Sequence, residues 1–354
     1  MPPGSEPPRP RVREAGIVVG TLSPGPGNAI TDVAGVRVGH RTLIEGTDVR
    51  TGVTAVLPHG GNLFQEKVPA GIAVGNGFGK MTGVTQIAEL GTLETPIVLT
   101  STLAVPAAAA AVIGWTLEQP GNEKVTSVNP VVAECNDAGL NDARRRPVRE
   151  EHVLEALGAA STEPPAEGCV GAGTGTSCLG WKGGIGTASR RVPAAAGAYT
   201  IGVLVQTNFG GSLVLSGVPV GEELRAPAGV PGGSCIFVVA TDAPLLGRAL
   251  ERVARRALLP LAKVGSSLSH GSGDYALAFS TALRIPHRAS APLELREETR
   301  PQALNAVFQA VAEASEEALL NALFRATDLT GFGGKTLRAL PVEDALRILA
   351  RRTR

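Results

Sequence analysis

The clearest alternation of apolar and polar positions lies in the C-terminal third of the chain. Ser234 to Thr241 is an unbroken apolar run, which predicts a buried interior strand. Pro244 then opens a predicted helix whose Leu246, Leu250, Val253 and Ala257 fall on one face, and Pro260 ends or kinks it. Tyr275 to Thr281 alternates enough to be a half-buried strand. Ala303 to Ala326 carries Leu304, Val307, Phe308, Val311, Leu319 and Leu323 at helical spacing, a second amphipathic helix, and Pro341 starts a short terminal one. Upstream, β-like runs at Gly71 to Val74, Ile97 to Thr100, Asn129 to Ala133 and Tyr199 to Gln206 alternate with glycine-rich loops. The alanine-rich segment Leu103 to Trp115 reads as a core helix, short of the roughly 18 residues a membrane span needs. Strands with helices on their outer faces predict a layered α/β domain. Met1 to Ala15, rich in proline and charge, reads as a disordered extension and not a signal peptide. Neither a short repeat nor a dividing linker interrupts residues 16–354, expected to form one domain with its most exposed loop at Glu163 to Gly168.

Composition narrows the partners. Aromatic residues make up 3% of the chain, so the core is built from Ala, Val, Leu and Ile, and base stacking on single-stranded nucleic acid is disfavoured. A net charge of +1 offers no footprint for nucleic acid or an anionic membrane. A small molecule or a second copy of the chain is the expected partner. Cys135, Cys169, Cys178 and Cys235 have no zinc-type spacing and read as small buried hydrophobes, which suits the cytoplasm. The stretch from Gly171 to Gly186 has the glycine density of an anion nest, yet it is no P-loop. Gly75 to Lys80 likewise fails the dinucleotide pattern. Both are read as tight loops where backbone passes close to a ligand or another strand, with no nucleotide assigned. His40, His59, His152, His270 and His287 are scattered, and only His270 stands near candidate chemistry.

That chemistry centres on Gly232, Gly233 and Ser234, where two glycines deliver a serine onto the first residue of the apolar strand. Glycine permits the unusual backbone that brings the Gly233 carbonyl within reach of the Ser234 hydroxyl. An N→O acyl shift and ester hydrolysis would then free an α-amine of pKa about 7.7 to 8.0, a usable base beside the hydroxyl. The competing reading is a plain turn leading into a core strand. Three other places have a similar double reading. Glu134, with Asp137 and Asp142 close behind, follows an apolar strand and could grip an ammonium, or belong to a solvated turn. Asn208 ends a strand and could donate to an oxyanion, or close a turn. Ser272 and Asp274 sit two apart and could carry a proton from Ser234, or cap a strand.

Taken together these segments resemble the DmpA-like family of self-processing serine aminopeptidases, which includes L-aminopeptidase/D-esterase-amidases and β-peptidyl aminopeptidases. The resemblance runs from Asn28 onward through Ile30-Thr31-Asp32-Val33, Val36-Arg37-Val38-Gly39-His40, Gly75-Asn76-Gly77-Phe78-Gly79-Lys80 and Glu89-Leu90-Gly91 with Glu94-Thr95-Pro96-Ile97. It continues through Gly171 to Arg190, Gln206-Thr207-Asn208-Phe209-Gly210 and Ala240-Thr241-Asp242-Ala243-Pro244-Leu245. It implies a four-layer αββα sandwich, similar to N-terminal nucleophile hydrolases with different connectivity and related to ornithine acetyltransferases. It further implies cleavage between Gly233 and Ser234 into pieces 1–233 and 234–354, and an acyl-enzyme on Ser234 formed from peptides, amides or esters with a free amino group. Ser272 and Asp274 would orient or deprotonate Ser234, Asn208 would line the oxyanion hole, and Glu134 would hold the substrate ammonium. No metal, no organic cofactor and a tetramer of processed protomers complete the expectation. Two departures stand out: Asp274 where the family often has glutamate, and Gly139 where it commonly has a tyrosine. An acyltransferase using the same nucleophile and a catalytically silent scaffold of the same fold are the alternatives.

Overall fold

A computed structural model describes residues 9–193, 195, 197–225, 233–288, 291 and 295–352. In chain order the strands are β1 (Arg37–Glu45), β2 (Val49–Leu57), β3 (Glu66–Gly77), β4 (Thr92–Leu93), β5 (Ile97–Ser101), β6 (Val131–Cys135) and β7 (Ser177–Cys178). They continue as β8 (Trp181–Lys182), β9 (Ile185–Arg191), β10 (Thr200–Phe209), β11 (Gly233–Thr241), β12 (Ser272–Ser280), β13 (Ile285–Pro286), β14 (Leu329–Thr330) and β15 (Thr336–Leu337). The helices are α1 (Val84–Leu90), α2 (Val105–Leu117), α3 (Glu150–Gly158), α4 (Val220–Leu224), α5 (Gly247–Ala257), α6 (Leu259–Lys263), α7 (Leu304–Arg325) and α8 (Val342–Arg352).

Two mixed sheets stack face to face. The smaller has the order β1-β2-β5-β6, and the larger runs β13-β3-β12-β11-β10-β7-β8 with β4 and β9 paired to its sides. Helices α2 and α3 cover the outer face of the small sheet, and α5 and α7 cover that of the large one. Between the sheets lies a core to which β11 contributes Ile236, Val238 and Ala240, and β5 and β6 contribute Ile97, Leu99, Val131 and Ala133. Cys235, Phe237 and Val239 of β11 point the other way, into the core under α5 and α7. Successive strand residues face opposite sides, so a strand between two apolar cores reads as an unbroken apolar run. The expected αββα layering is therefore observed, with β11 hydrogen-bonded between antiparallel β10 and parallel β12.

Several boundaries differ from the sequence reading. The helix expected from Pro244 begins at Gly247, with Leu246 as its extended cap. Pro260 does not merely end it: it occupies the first turn of α6, where a missing N–H costs nothing. Strand β12 starts at Ser272 and is buried along its whole length, not half-buried, because β3 and β11 flank it and α5 lies across it.

Helix α7 is not amphipathic in its second half: Glu313, Ser315, Glu316, Glu317 and Asn321 are buried with its apolar residues. Their partners explain why. The fully buried Arg190 on β9 bonds Glu317 Oε2 at 2.6 Å and Glu313 Oε2 at 3.3 Å, and Arg13 bonds Glu317 at 2.8 Å. This corrects the expectation of a disordered stretch through Ala15. Residues 9–15 pack against α7, with Val12 fully buried and its N–H donating to Asn321 at 3.0 Å, while residues 1–8 lie outside the described part. A buried carboxylate needs such partners, and the N-terminal arginine supplies one.

Burial works to raise the Glu317 pKa, but Arg13, Arg190 and Asn28 outweigh it and hold the group below the ordinary glutamate range. A depressed carboxylate pKa contributes stability above the unfolded value that is lost as pH falls through the folded one. Glu317→Ala leaves Arg190 without its main partner and is expected to destabilise the fold by about 3–5 kcal/mol at neutral pH. Chemical denaturation checks this, and the deficit should shrink below the ordinary glutamate range as the parent loses the same interaction.

Candidate active site

Ser234 stands at the N-terminal end of β11, 3% exposed, and its Oγ donates to the carbonyl oxygen of Gly233 at 2.6 Å. The serine hydroxyl thus rests on the carbonyl of the peptide bond it would break. Gly233 has φ +148°, and a Cβ built there would lie 2.4 Å from the Asn208 carbonyl oxygen, so both conformation and space demand glycine. Gly232, the other member of the pair, lies outside the described residues.

A cavity of about 540 Å³ opens over the hydroxyl, walled by Lys80, Glu134, Asn136, Ser177, Asn208 and the hairpin residues Lys335 and Leu337. Asn208 is the in-register partner of Ser234 on β10, so both side chains leave the same face of the sheet. Its Oδ1 accepts from the Ser177 N–H at 3.0 Å, and its Nδ2 donates to the Asn136 carbonyl at 2.9 Å. An amide NH₂ has two hydrogens, and this pairing uses one of them.

Glu134 is 2% exposed on β6 of the opposite sheet. Its Oε1 accepts from the Lys80 N–H at 3.1 Å and from Lys80 Nζ at 3.3 Å, whereas its buried Oε2 has no partner among the described residues. The solvated-turn reading fails for this residue. It fails for Asp137 too, which is buried and accepts from Ser101 Oγ at 2.8 Å and Asn141 Nδ2 at 3.0 Å. Burial pushes the Asp137 pKa up against those hydrogen bonds.

Ser272 and Asp274 are brought beside the start of β11 but leave a different face. The parallel register sets Ser272 next to Gly233 and Asp274 next to Cys235, so their side chains project opposite to that of Ser234. They bond each other, Ser272 Oγ donating to Asp274 Oδ1 at 2.8 Å. Burial raises the Asp274 pKa, opposed by the Ser272 hydroxyl and the Cys235 N–H. Ser234 itself pairs in register with Gly273, the residue between the two. The His270 ring lies against the Phe78 ring and its carbonyl accepts from Asn76 Nδ2 at 3.0 Å, and burial drives the His40 pKa down to about 4, so the His40 ring is neutral at pH 7.

The glycine-rich stretch from Gly171 to Gly186 turns out to have the opposite polarity to an anion nest. Its carbonyls surround a cation: the fully buried Lys182 Nζ donates to Gly173, Thr176 and Gly183 oxygens at 3.1, 2.8 and 2.7 Å. Lys182 also pairs with Ser177 across β7 and β8, which sets the N–H that holds Asn208. Cys135, Cys178 and Cys235 are buried, and burial raises each thiol pKa, that of Cys178 to about 12. Sequence reasoning missed Ser177 and Lys335 as cavity walls, because no local pattern ties residues 31 and 127 positions from Asn208 to it.

Comparison with known proteins places this geometry. Residues 28–337 match the model of Peptidase family S58. A β-peptidyl aminopeptidase of Sphingosinicella microcystinivorans, BapA, is 42% identical over 96% of this chain and 92% of its own length. Among solved structures, a β-aminopeptidase of a Burkholderia species superposes with a TM-score of 0.92 at 42% identity, covering 97% of this chain and 99% of that one. The L-aminopeptidase D-Ala-esterase/amidase of Ochrobactrum anthropi, described as a variant of the Ntn hydrolase fold, gives 0.91 at 37% identity, covering 98% and 99%.

The carbonyl cage yields a stability prediction. Lys182→Met keeps the stem but removes the ammonium from three buried carbonyls. The Gly173 oxygen keeps Thr176 Oγ and the Thr176 oxygen keeps the Gly183 N–H, both at 3.1 Å, so among the described residues the Gly183 carbonyl is the one left without a donor, at a cost of about 1–3 kcal/mol. A loss of about 2 kcal/mol in denaturant unfolding is expected. An unchanged midpoint would remove the ammonium from the list of interactions that hold the Ser177 wall.

Proposed function

The chain belongs to peptidase family S58, and from that premise we propose that it is a self-cleaving serine aminopeptidase and amidase whose acyl-enzyme forms on Ser234. The observation that carries the reading is the Ser234 hydroxyl already seated on the Gly233 carbonyl. In maturation Oγ attacks the Gly233 carbonyl carbon, the peptide C–N bond breaks, and the nitrogen takes the hydroxyl proton. Water then hydrolyses the ester, leaving a Gly233 carboxylate and a free Ser234 with both hydroxyl and α-amine. Strand β11 stays paired to β10 and β12 throughout, so the two pieces remain one fold.

In turnover the α-amine, with a pKa of about 7.7 to 8.0 before any environmental shift, accepts the hydroxyl proton as Oγ attacks the substrate carbonyl. The second hydrogen of Asn208 Nδ2 is suited to the developing oxyanion, a donor typically worth about 3 kcal/mol. The proton passes to the departing amine, and water releases the acyl group by the reverse path. In this proposal the Ser272 and Asp274 pair, next to Ser234 in the sheet, orients the α-amine that cleavage frees and does not touch the hydroxyl directly. Glu134 Oε2, buried and without a partner among the described residues, is the seat of the substrate ammonium. Peptides, amides or esters with a free amine are the substrates, with β-residues among them as the names of the relatives suggest. Assembly as a tetramer in the cytoplasm belongs to the same proposal; among the described residues no helix is long and apolar enough to cross a membrane.

Purified protein is expected to give two associated fragments by intact mass, the smaller beginning Ser-Cys-Ile-Phe, and Ser234→Ala a single full-length chain. The same two fragments from Ser234→Ala would assign the cut to an outside protease.

Glu134→Gln removes the charge but keeps the shape, so self-cleavage should persist while KM for free-amino substrates rises about tenfold or more. Steady-state kinetics with a substrate and its N-acetyl counterpart check this. Equal hydrolysis of the two by the parent enzyme would deny the carboxylate its role.

A further inference from the structure

Among the described residues three charged side chains line the cavity: Lys80, Glu134 and Lys335. Lys80 and Glu134 pair at 3.3 Å, whereas the Lys335 side chain has no ion pair or hydrogen bond among the described residues. The cavity therefore carries one uncompensated positive charge. A substrate that brings only an ammonium adds a second. A substrate that brings an ammonium and a carboxylate adds none.

Lys335 is held where it can use that difference. It immediately precedes β15 in a short hairpin whose Gly331 N–H donates to the Lys335 carbonyl at 2.9 Å and whose Thr330 and Thr336 hydroxyls meet at 2.7 Å. The hairpin is pinned to the cavity wall, with the Phe332 N–H donating to the Leu140 carbonyl at 2.7 Å and Arg50 Nε to the Thr330 carbonyl at 2.7 Å. Another lining residue, Gly139, carries no side chain, and a Cβ built there meets no atom within 4 Å among the described residues, so the space beside it is open. Depth separates the two unmatched groups: Glu134 Oε2 is buried, and Lys335 is exposed at the rim. With the amino end held deep at Glu134 and the scissile carbonyl at Ser234, the leaving residue has to point toward the open rim.

We propose that Lys335 receives the terminal carboxylate of the leaving residue, so that the enzyme selects dipeptides and other short peptides with a free C-terminus over amides and esters of the same acyl group. This rests on the aminopeptidase reading above. A lysine suits the task, since a compact charge on a flexible stem follows carboxylates at varied distances without fixing the leaving side chain. A cavity of this size also falls in the range that encloses small ligands, which sets the scale at short peptides.

The test compares kcat/KM for alanyl-alanine and alanyl-alaninamide, and for the β-alanyl pair, in the processed parent, Lys335→Met and Lys335→Glu. The ratio of acid to amide should fall about threefold to fivefold in Lys335→Met, chiefly through KM for the acid, and further in Lys335→Glu. Raising the salt from about 0.05 M to about 0.5 M should narrow the gap between parent and variants by screening. Turnover of the amide reports that each variant is folded and processed. An acid-to-amide ratio that is unchanged in both variants, with amide turnover intact, overturns the role of Lys335 and leaves the aminopeptidase reading standing. Failure of the processed parent to hydrolyse any of the four substrates overturns both.

Discussion

Strand β11 is fixed on all four sides, and the site depends on that confinement. Its edges pair with β10 and β12, one face lies in the core between the sheets, and the other lies under α5 and α7. A one-residue slip would turn Ser234 to the wrong face and push an apolar side chain into the cavity, so the register is set by the burial of the whole strand. The same confinement forces the backbone at Gly233 against Asn208 and Phe209, where only glycine fits, and holds its carbonyl under the hydroxyl. Position and reactivity of the serine thus share one cause.

Around this strand the fold uses buried charge as scaffolding. Arg190 joins β9 to α7 and, through Glu317 and Arg13, to the N-terminal segment. Lys182 gathers three carbonyls into a turn that sets Ser177 beside Asn208. Each cation is wholly buried, which is tolerable only because its donors are matched. The two solutions differ in kind. Arg190 is neutralised by carboxylates, whereas Lys182 is solvated chiefly by backbone dipoles.

Inside the cavity the polarity is left incomplete. Glu134 has one oxygen tied to Lys80 and one without a partner, Asn208 has a spare hydrogen, and Lys335 has no counter-ion among the described residues. Unmatched polar groups held at fixed places are costly to a fold and useful to a ligand, since a bound molecule can complete them. The deep carboxylate and the rim cation together describe a molecule with opposite charges at its two ends.

The layered α/β architecture, β11, α7 and the candidates Ser234, Asn208, Glu134, Ser272 and Asp274 were legible because each leaves a local mark: an apolar run, helical spacing, or a polar residue where a strand ends. The family strings added the expected roles. What the chain order did not disclose was which groups face one another. The polar residues of α7 look like a solvated face until Arg190 and Arg13 arrive from far along the chain, and the glycines near Lys182 look like an anion site until the lysine folds back among their carbonyls. Ser272 and Asp274 are adjacent to Ser234 in the sheet, yet the parallel register turns them to the other face. Periodicity along a chain records whether a position is buried, because burial acts on each residue through its own local geometry. It carries no record of the partner, because partners are chosen by packing between segments distant in sequence.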